Sequence, residues 1–134
     1  PGGAPAGSGS AAEGAKGGLV IIADDNAQVR DVVAVQLSRG GFSTRAASDG
    51  DEFLAACGAA AGAAACYIVD IDMPRKSGIE CLAIRRALGD TTPALLITGG
   101  QIEALVLDQW TRALGKPFSR EELLRGVAEV RKGR

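Results

Sequence analysis

The chain contains no histidine, which removes the commonest acid–base residue and the commonest metal ligand together. Any metal site must then be built from oxygens, and hard cations such as magnesium suit oxygen better than zinc does. Aromatic residues are scarce, at 4% of 134 positions against 46% hydrophobic, so Ala, Val, Leu and Ile must fill the core. There is no excess of positive charge: 15 Lys and Arg face 16 Asp and Glu, for a formal charge of -1. That gives no basic stripe for neutralising a nucleic-acid backbone and no general attraction to a membrane. No apolar run is long enough to span a bilayer. Cys57, Cys66 and Cys81 form an odd set without a Cys-x-x-Cys pair. They read as small core residues of a reducing compartment, not as a disulfide or zinc framework.

What is present divides into a tail and a domain. Residues 1–18, PGGAPAGSGSAAEGAKGG, offer almost nothing to bury and read as a flexible linker or expression remnant. A start at Pro1, with no initiator Met and no signal-peptide pattern, points to a fragment of something longer. From Leu19 onward, over 19–134, apolar runs alternate with helical periodicity. LVIIAD is a buried strand candidate, and Val29, Val32, Val33 and Leu37 then define an inward helix face closed by Gly40 and Gly41. FSTRAA is a weaker strand, followed by an Ala-rich helix from Asp49 with Glu52 three residues on. CYIVDI is a third strand, and Ser77-Gly78-Ile79-Glu80 spells a capping box that opens a helix through Leu88. After Pro93, ALLIT is a fourth strand, Gln101 to Arg112 is expected to hold a fourth helix, and ALGK is a brief fifth strand. Ser119-Arg120-Glu121-Glu122 is a second capping box, opening a last helix with Leu123, Leu124, Val127 and Val130 inward. Five strand–helix units with continuous apolar strands mean an α/β fold: a parallel sheet covered on both faces.

In such a sheet, function sits at the carboxyl ends of the strands. The first strand ends in Asp24-Asp25, the third in Asp70, the fourth in Thr98 and the fifth in Lys116. Three carboxylates repel one another, and burial raises their pKa values unless a cation compensates. A magnesium ion that keeps waters for phosphate oxygens is the economical partner. A carboxylate nucleophile, a magnesium site, an ammonium and a hydroxyl are the parts that phosphoryl transfer requires. Each residue also has a plainer reading. Asp24-Asp25 suits a helix cap, Thr98 a β-branched strand end, Lys116-Pro117 a solvated turn, and Arg75 and Lys76 surface charges. Met73-Pro74 shapes the turn after Asp70, and Trp110 is open between helix-face packing and a partner contact.

The segments IIADDN, VDIDMPRKSG, ITGG and GKPF occur in this order on these elements, and through them the chain resembles a response-regulator receiver domain over about residues 19 to 132. The resemblance implies a doubly wound, flavodoxin-like five-stranded sheet with strand order 2-1-3-4-5. It implies a phosphoprotein of a two-component phosphorelay in the cytoplasm, with Asp70 accepting phosphoryl from a phosphohistidine on a sensor histidine kinase or phosphotransfer protein. Mg2+ would be placed by Asp24, Asp25, Asp70 and the backbone carbonyl of Asp72, while Thr98 and Lys116 contact the bound phosphoryl. Such a domain catalyses only its own phosphorylation and dephosphorylation, and PALLITGG is similar to carboxyl-terminal receivers of hybrid kinases. The pliant Gly99-Gly100 pair would let Thr98 move, at a coupling of about 1–3 kcal/mol.

Two features depart from that family. Where receivers carry an aromatic switch residue three positions before the Lys, this chain has Ala113, leaving Trp110 as the nearest aromatic for a relay. The span from Thr98 to Lys116 is also about one helical turn short. Asp72 adds an acid beside the acceptor that could steer water or metal. Two alternatives follow: a phosphorylation-independent docking module, and a haloacid-dehalogenase-type phosphatase using DIDM. The second conflicts with element order, since its nucleophile belongs on the first strand.

Overall fold

The computed structural model describes residues 17–132. Five strands, β1 (Gly18–Ala23), β2 (Phe42–Ala47), β3 (Ala64–Asp70), β4 (Ala94–Thr98) and β5 (Thr111–Gly115), form one sheet in the order β2-β1-β3-β4-β5. Every pairing is parallel. All five carboxyl ends therefore lie along one edge, and the doubly wound order is the one expected. β1 begins at Gly18, one residue before the expected boundary, and residues 1–16 of the expected linker lie outside the described residues.

Four α-helices cover the faces: α1 (Ala27–Arg39), α2 (Gly50–Ala60), α3 (Gly78–Ala87) and α4 (Arg120–Arg131). Each starts where a side chain satisfies the free N–H groups of its first turn. Asn26 accepts from Gln28 and Val29 at α1, and Asp49 accepts from Glu52 at α2. Ser77 and Ser119 form complete capping boxes with Glu80 and Glu122. At α2 the box is altered, because the Glu52 carboxylate turns to the N–H and hydroxyl of Ser48.

One face of the sheet packs Phe53, Cys57, Cys81 and Leu82 of α2 and α3 against Ile21, Tyr67, Val69 and Leu96. The other packs Val33 and Leu37 of α1 and Leu123, Val127 and Val130 of α4 against Val20, Ile22, Ile68 and Leu95. Phe53 meets Tyr67 edge-on with ring centroids 5.1 Å apart, a favoured aromatic geometry in a core with few aromatic rings. The cysteines are free and buried, and burial pushes Cys57 and Cys81 up to about 11 and Cys66 to about 12. Thiols so far from thiolate are packing residues. Val32 departs from the expected inward face and is 52% exposed. The helix–sheet seam is narrower than the run of valines, and Val33 and Leu37 alone on α1 are fully buried.

The expected fourth helix between β4 and β5 is absent. Its place holds one 3₁₀ turn, Ile102–Ala104, followed by irregular chain whose first residue, Leu105, is extended. The physical reason lies in the apolar spacing. Leu105 is extended, and Leu105 and Leu107 both rest on the core while Val106 between them is 99% exposed, the alternation of an extended chain. Gly99 and Gly100 ahead of the turn further weaken any helix start.

Candidate functional site

Asp70 is the last residue of β3, and Asp24 follows β1 directly, its N–H held by the Ala47 carbonyl at 3.1 Å. Both are buried, at 5% and 3% exposure, whereas Asp25 projects into solvent. One carboxylate oxygen from each of Asp24, Asp25 and Asp70 lies within 4.8 Å of the others. Lys116, just beyond β5, bridges the buried pair, its Nζ donating at 3.2 Å to Asp24 Oδ2 and at 3.2 Å to Asp70 Oδ2. The remaining oxygens are fixed by backbone: the Asn26 N–H donates to Asp24 Oδ1 at 2.9 Å and the Asp72 N–H to Asp70 Oδ1 at 3.1 Å.

The start of α3 closes against the end of β3. The Gly78 N–H donates to the Ile71 carbonyl at 2.9 Å, and a side chain there would place Cβ 2.4 Å from the Asp70 carbonyl oxygen. Only glycine allows this approach. Ion pairs from Arg75 to Asp49 at 3.2 Å and from Lys76 to Asp51 at 2.8 Å tie the same loop to the start of α2. Both pairs are solvent-facing, so their charges do not reach into the pocket as partners.

The electrostatics are unbalanced. Burial raises the Asp70 carboxyl, and the neighbouring Asp24 charge raises it further against the opposing Asp72 N–H and Lys116. Lys116 loses by burial, yet its two carboxylate partners outweigh that and hold the ammonium above its ordinary value. One ammonium bonded to two of three clustered carboxylates leaves room for further positive charge, and the donors are all hard oxygens. That set fits a divalent cation of the magnesium type.

Thr98 ends β4, and its buried hydroxyl accepts the Gly100 N–H at 2.8 Å. Its carbonyl accepts the Lys116 N–H at 2.7 Å, which couples the two residues through backbone. Gly99 is exposed, with open space where a side chain would stand. Ile102 seats its Cδ1 3.5 Å from the place a Cβ would occupy on Gly115, the residue before Lys116. Ala113 lies in mid-β5 opposite Leu96 and lines an open cleft of about 580 Å³ with Leu107, Arg125 and Gly126.

Trp110 is not beside these residues. It precedes β5, its carbonyl accepts the Ala94 N–H, and its ring lies 5.4 Å from the Arg86 guanidinium carbon. That is the amino end of β4 and β5, a strand length of about 13 Å from Thr98. A relay through Trp110 is thereby corrected: this ring packs at the opposite edge. Residues that the sequence reading passed over include Arg30, whose guanidinium reaches the Asp24 carbonyl at 2.8 Å. Its position one turn after the α1 cap was the available signal.

A doubly wound parallel sheet with clustered acids at its carboxyl edge defines a flavodoxin-like α/β domain. Residues 20–128 match the model of the response regulator receiver domain family, and the chain belongs to that family. Response regulator MprA of Mycolicibacterium vanbaalenii and that of Mycobacterium tuberculosis are each 33% identical to it over 109 residues, 78% of this chain. The chain spans 46% of each of these relatives. Chemotaxis response regulator CheY4 of Vibrio cholerae superposes with a TM-score of 0.74 at 28% identity, covering 84% of this chain and 98% of that one. The receiver domain of hybrid histidine kinase CckA gives 0.73 at 27%, with the same coverage. Family membership removes the phosphatase alternative. Among the described residues no helix is long and apolar enough to cross a membrane.

Proposed function

We propose that Asp70 is the phosphoacceptor of a signalling switch, with a phosphohistidine on a sensor kinase or phosphotransfer protein as donor. The observation that carries this reading is the convergence of Asp24, Asp25 and Asp70 with Lys116 bonded to both buried carboxylates. In the transfer, an Asp70 oxygen forms a bond to phosphorus as the phosphorus–nitrogen bond of the donor breaks. The electron pair leaves with the imidazole nitrogen, which takes up a proton. Hydrolysis later adds water across the acyl phosphate and returns the carboxylate and inorganic phosphate.

Asp24, Asp25, Asp70 and the Asp72 carbonyl are the groups that would hold Mg2+, and the bound ion supplies charge neutralisation for the phosphoryl oxygens. Lys116 gives a point charge to one phosphoryl oxygen. Its two present partners are carboxylates, which leaves the third N–H of the ammonium for that oxygen. Thr98 offers its hydroxyl hydrogen to another oxygen, since the bond from Gly100 uses only an acceptor lone pair. Asp72 is exposed two residues beyond the acceptor, and its carboxylate would influence attack by water.

The new charge biases an existing equilibrium instead of imposing a shape. With neither an aromatic at Ala113 nor a helix after β4, the responding element is the 99–107 segment. Thr98 anchors one end of it, and Ile102 rests it on Gly115. The same departures favour a second reading, a docking module whose surface works without phosphorylation. Magnesium-dependent labelling of Asp70 by acetyl phosphate decides between them: label that disappears in Asp70→Asn supports the switch, and an unlabelled, folded wild type supports the docking module.

A further inference from the structure

The acidic turn after β1 is gripped from behind by Arg30. The Arg30 N–H closes the first turn of α1 on the Asn26 carbonyl at 3.1 Å, and its guanidinium Nη1 donates to the Asp24 carbonyl at 2.8 Å. Asn26 meanwhile fixes Asp24 Oδ1 through its own N–H and caps α1 with its side chain. The Asp24–Asp25 peptide is thus held between a helix cap and one guanidinium N–H. The half-buried Arg30 stands beside clustered carboxylates, yet among the described residues it forms no ion pair with any of them. The Glu52 carboxylate across the rim is engaged first by the N–H and hydroxyl of Ser48 and feels Arg30 only at longer range. Its guanidinium is spent on a backbone oxygen, so it orders the turn without neutralising the acids.

We propose that Arg30 is a positioning residue for the divalent cation, holding the β1–α1 turn so that the Asp24 and Asp25 carboxylates meet Asp70. This rests on the reading that those three acids hold Mg2+. Groups that orient metal ligands from behind change metal affinity by about 10–100-fold when removed. The sign of the effect separates this role from a bystander charge. A nearby positive charge repels a cation, so deleting a mere bystander tightens Mg2+ binding, whereas deleting a clamp weakens it.

The test is a Mg2+ titration followed by backbone amide shifts in wild type, Arg30→Ala and Arg30→Lys, with thermal unfolding recorded for each. The expected result is affinity about tenfold weaker in Arg30→Ala and an intermediate loss in Arg30→Lys, which keeps the charge but not the reach and planar geometry of the guanidinium N–H. Saturation at high Mg2+ should give the wild-type shift pattern, since no ligand has been removed. Affinity in either variant equal to or tighter than wild type overturns the proposal, and Arg30→Lys serves alone should Arg30→Ala not fold. A wild type that does not bind Mg2+ overturns the site reading itself, an outcome visible before any variant is made.

Discussion

Two aspartates, Asp70 buried and Asp90 partly buried, sit at opposite edges of the same sheet and have opposite electrostatic lives. Asp90, at the amino edge, accepts the Tyr67 hydroxyl, the Arg85 Nε–H at 2.8 Å, and the Thr92 N–H and hydroxyl at 3.0 and 2.6 Å. Burial works against its charge, but those donors hold its carboxyl well below the ordinary range. Asp70, at the carboxyl edge, has one backbone donor and a lysine shared with a second acid, and its carboxyl is raised. The first site is complete and stabilises the fold. The second is left short of positive charge, and buried acids kept in that condition are where charged ligands act.

Asp70→Asn should have the largest effect and break the comparison at the functional edge. Labelling by acetyl phosphate is lost altogether, while the melting temperature in magnesium-free buffer at neutral pH stays level or rises because a like-charge repulsion is gone. A wild-type degree of labelling in this variant would place the acceptor elsewhere. Next is Asp90→Ala, which strands Arg85 and Tyr67 and should cost about 2–4 kcal/mol in denaturant unfolding. Magnesium affinity should be unchanged to within twofold, and a large loss of it would deny that the two edges are separate.

The pH dependence sharpens the contrast with a smaller effect. Asp90 is depressed in the fold, so its contribution is present above its unfolded pKa of about 3.9 and is lost as pH falls through the folded value. The Asp90→Asn protein should therefore show a flatter acid limb than wild type. Asp70 is raised, so its protonated form is favoured below the unfolded pKa and that advantage disappears as pH climbs through the folded value. Without magnesium, the gain in stability from Asp70→Asn should be greatest at neutral pH and fade towards pH 4. Parallel unfolding curves for wild type and both variants from pH 7 to 3 would contradict both assignments. The smallest change belongs to Ile102→Ala. A partly exposed contact should cost under about 1 kcal/mol, yet the beryllofluoride-induced amide shifts at Gly115 and Lys116 should shrink.

The strand–helix alternation and the gathering of Asp24, Asp25, Asp70 and Lys116 at one edge were legible because each rests on a local signal: apolar runs ending in charged residues, and Ser-x-x-Glu boxes that two of the helices obey. The strand order came from the family resemblance. The segment after β4 was not legible by the same logic. Treating Gln101 to Arg112 as one more strand–helix unit extended a pattern, whereas the in–out–in order of Leu105, Val106 and Leu107 recorded an extended chain. Trp110 was a relay candidate only as the aromatic nearest Ala113 in sequence, and that nearness does not say which edge of the sheet the ring occupies. The Asp90 cluster escaped notice because it depends on contacts between separate elements, which periodicity does not encode, and Arg30 because periodicity marks its place on α1 but not its bond to the Asp24 carbonyl. Val32 shows a related limit: helical spacing marks a face, but the width of the seam decides which members are covered.

The most direct test follows backbone amides as Mg2+ and then beryllofluoride, a stand-in for the aspartyl phosphoryl group, are added to wild type and Asp70→Asn. The account predicts shifts confined to Asp24–Asn26, Asp70–Asp72, the 98–107 segment and Gly115–Lys116, with the beryllofluoride step absent from Asp70→Asn and Asp90 and Trp110 silent in both. A wild type whose amides around Asp70, Thr98 and Lys116 do not respond, or an Asp70→Asn protein that responds equally, would contradict it.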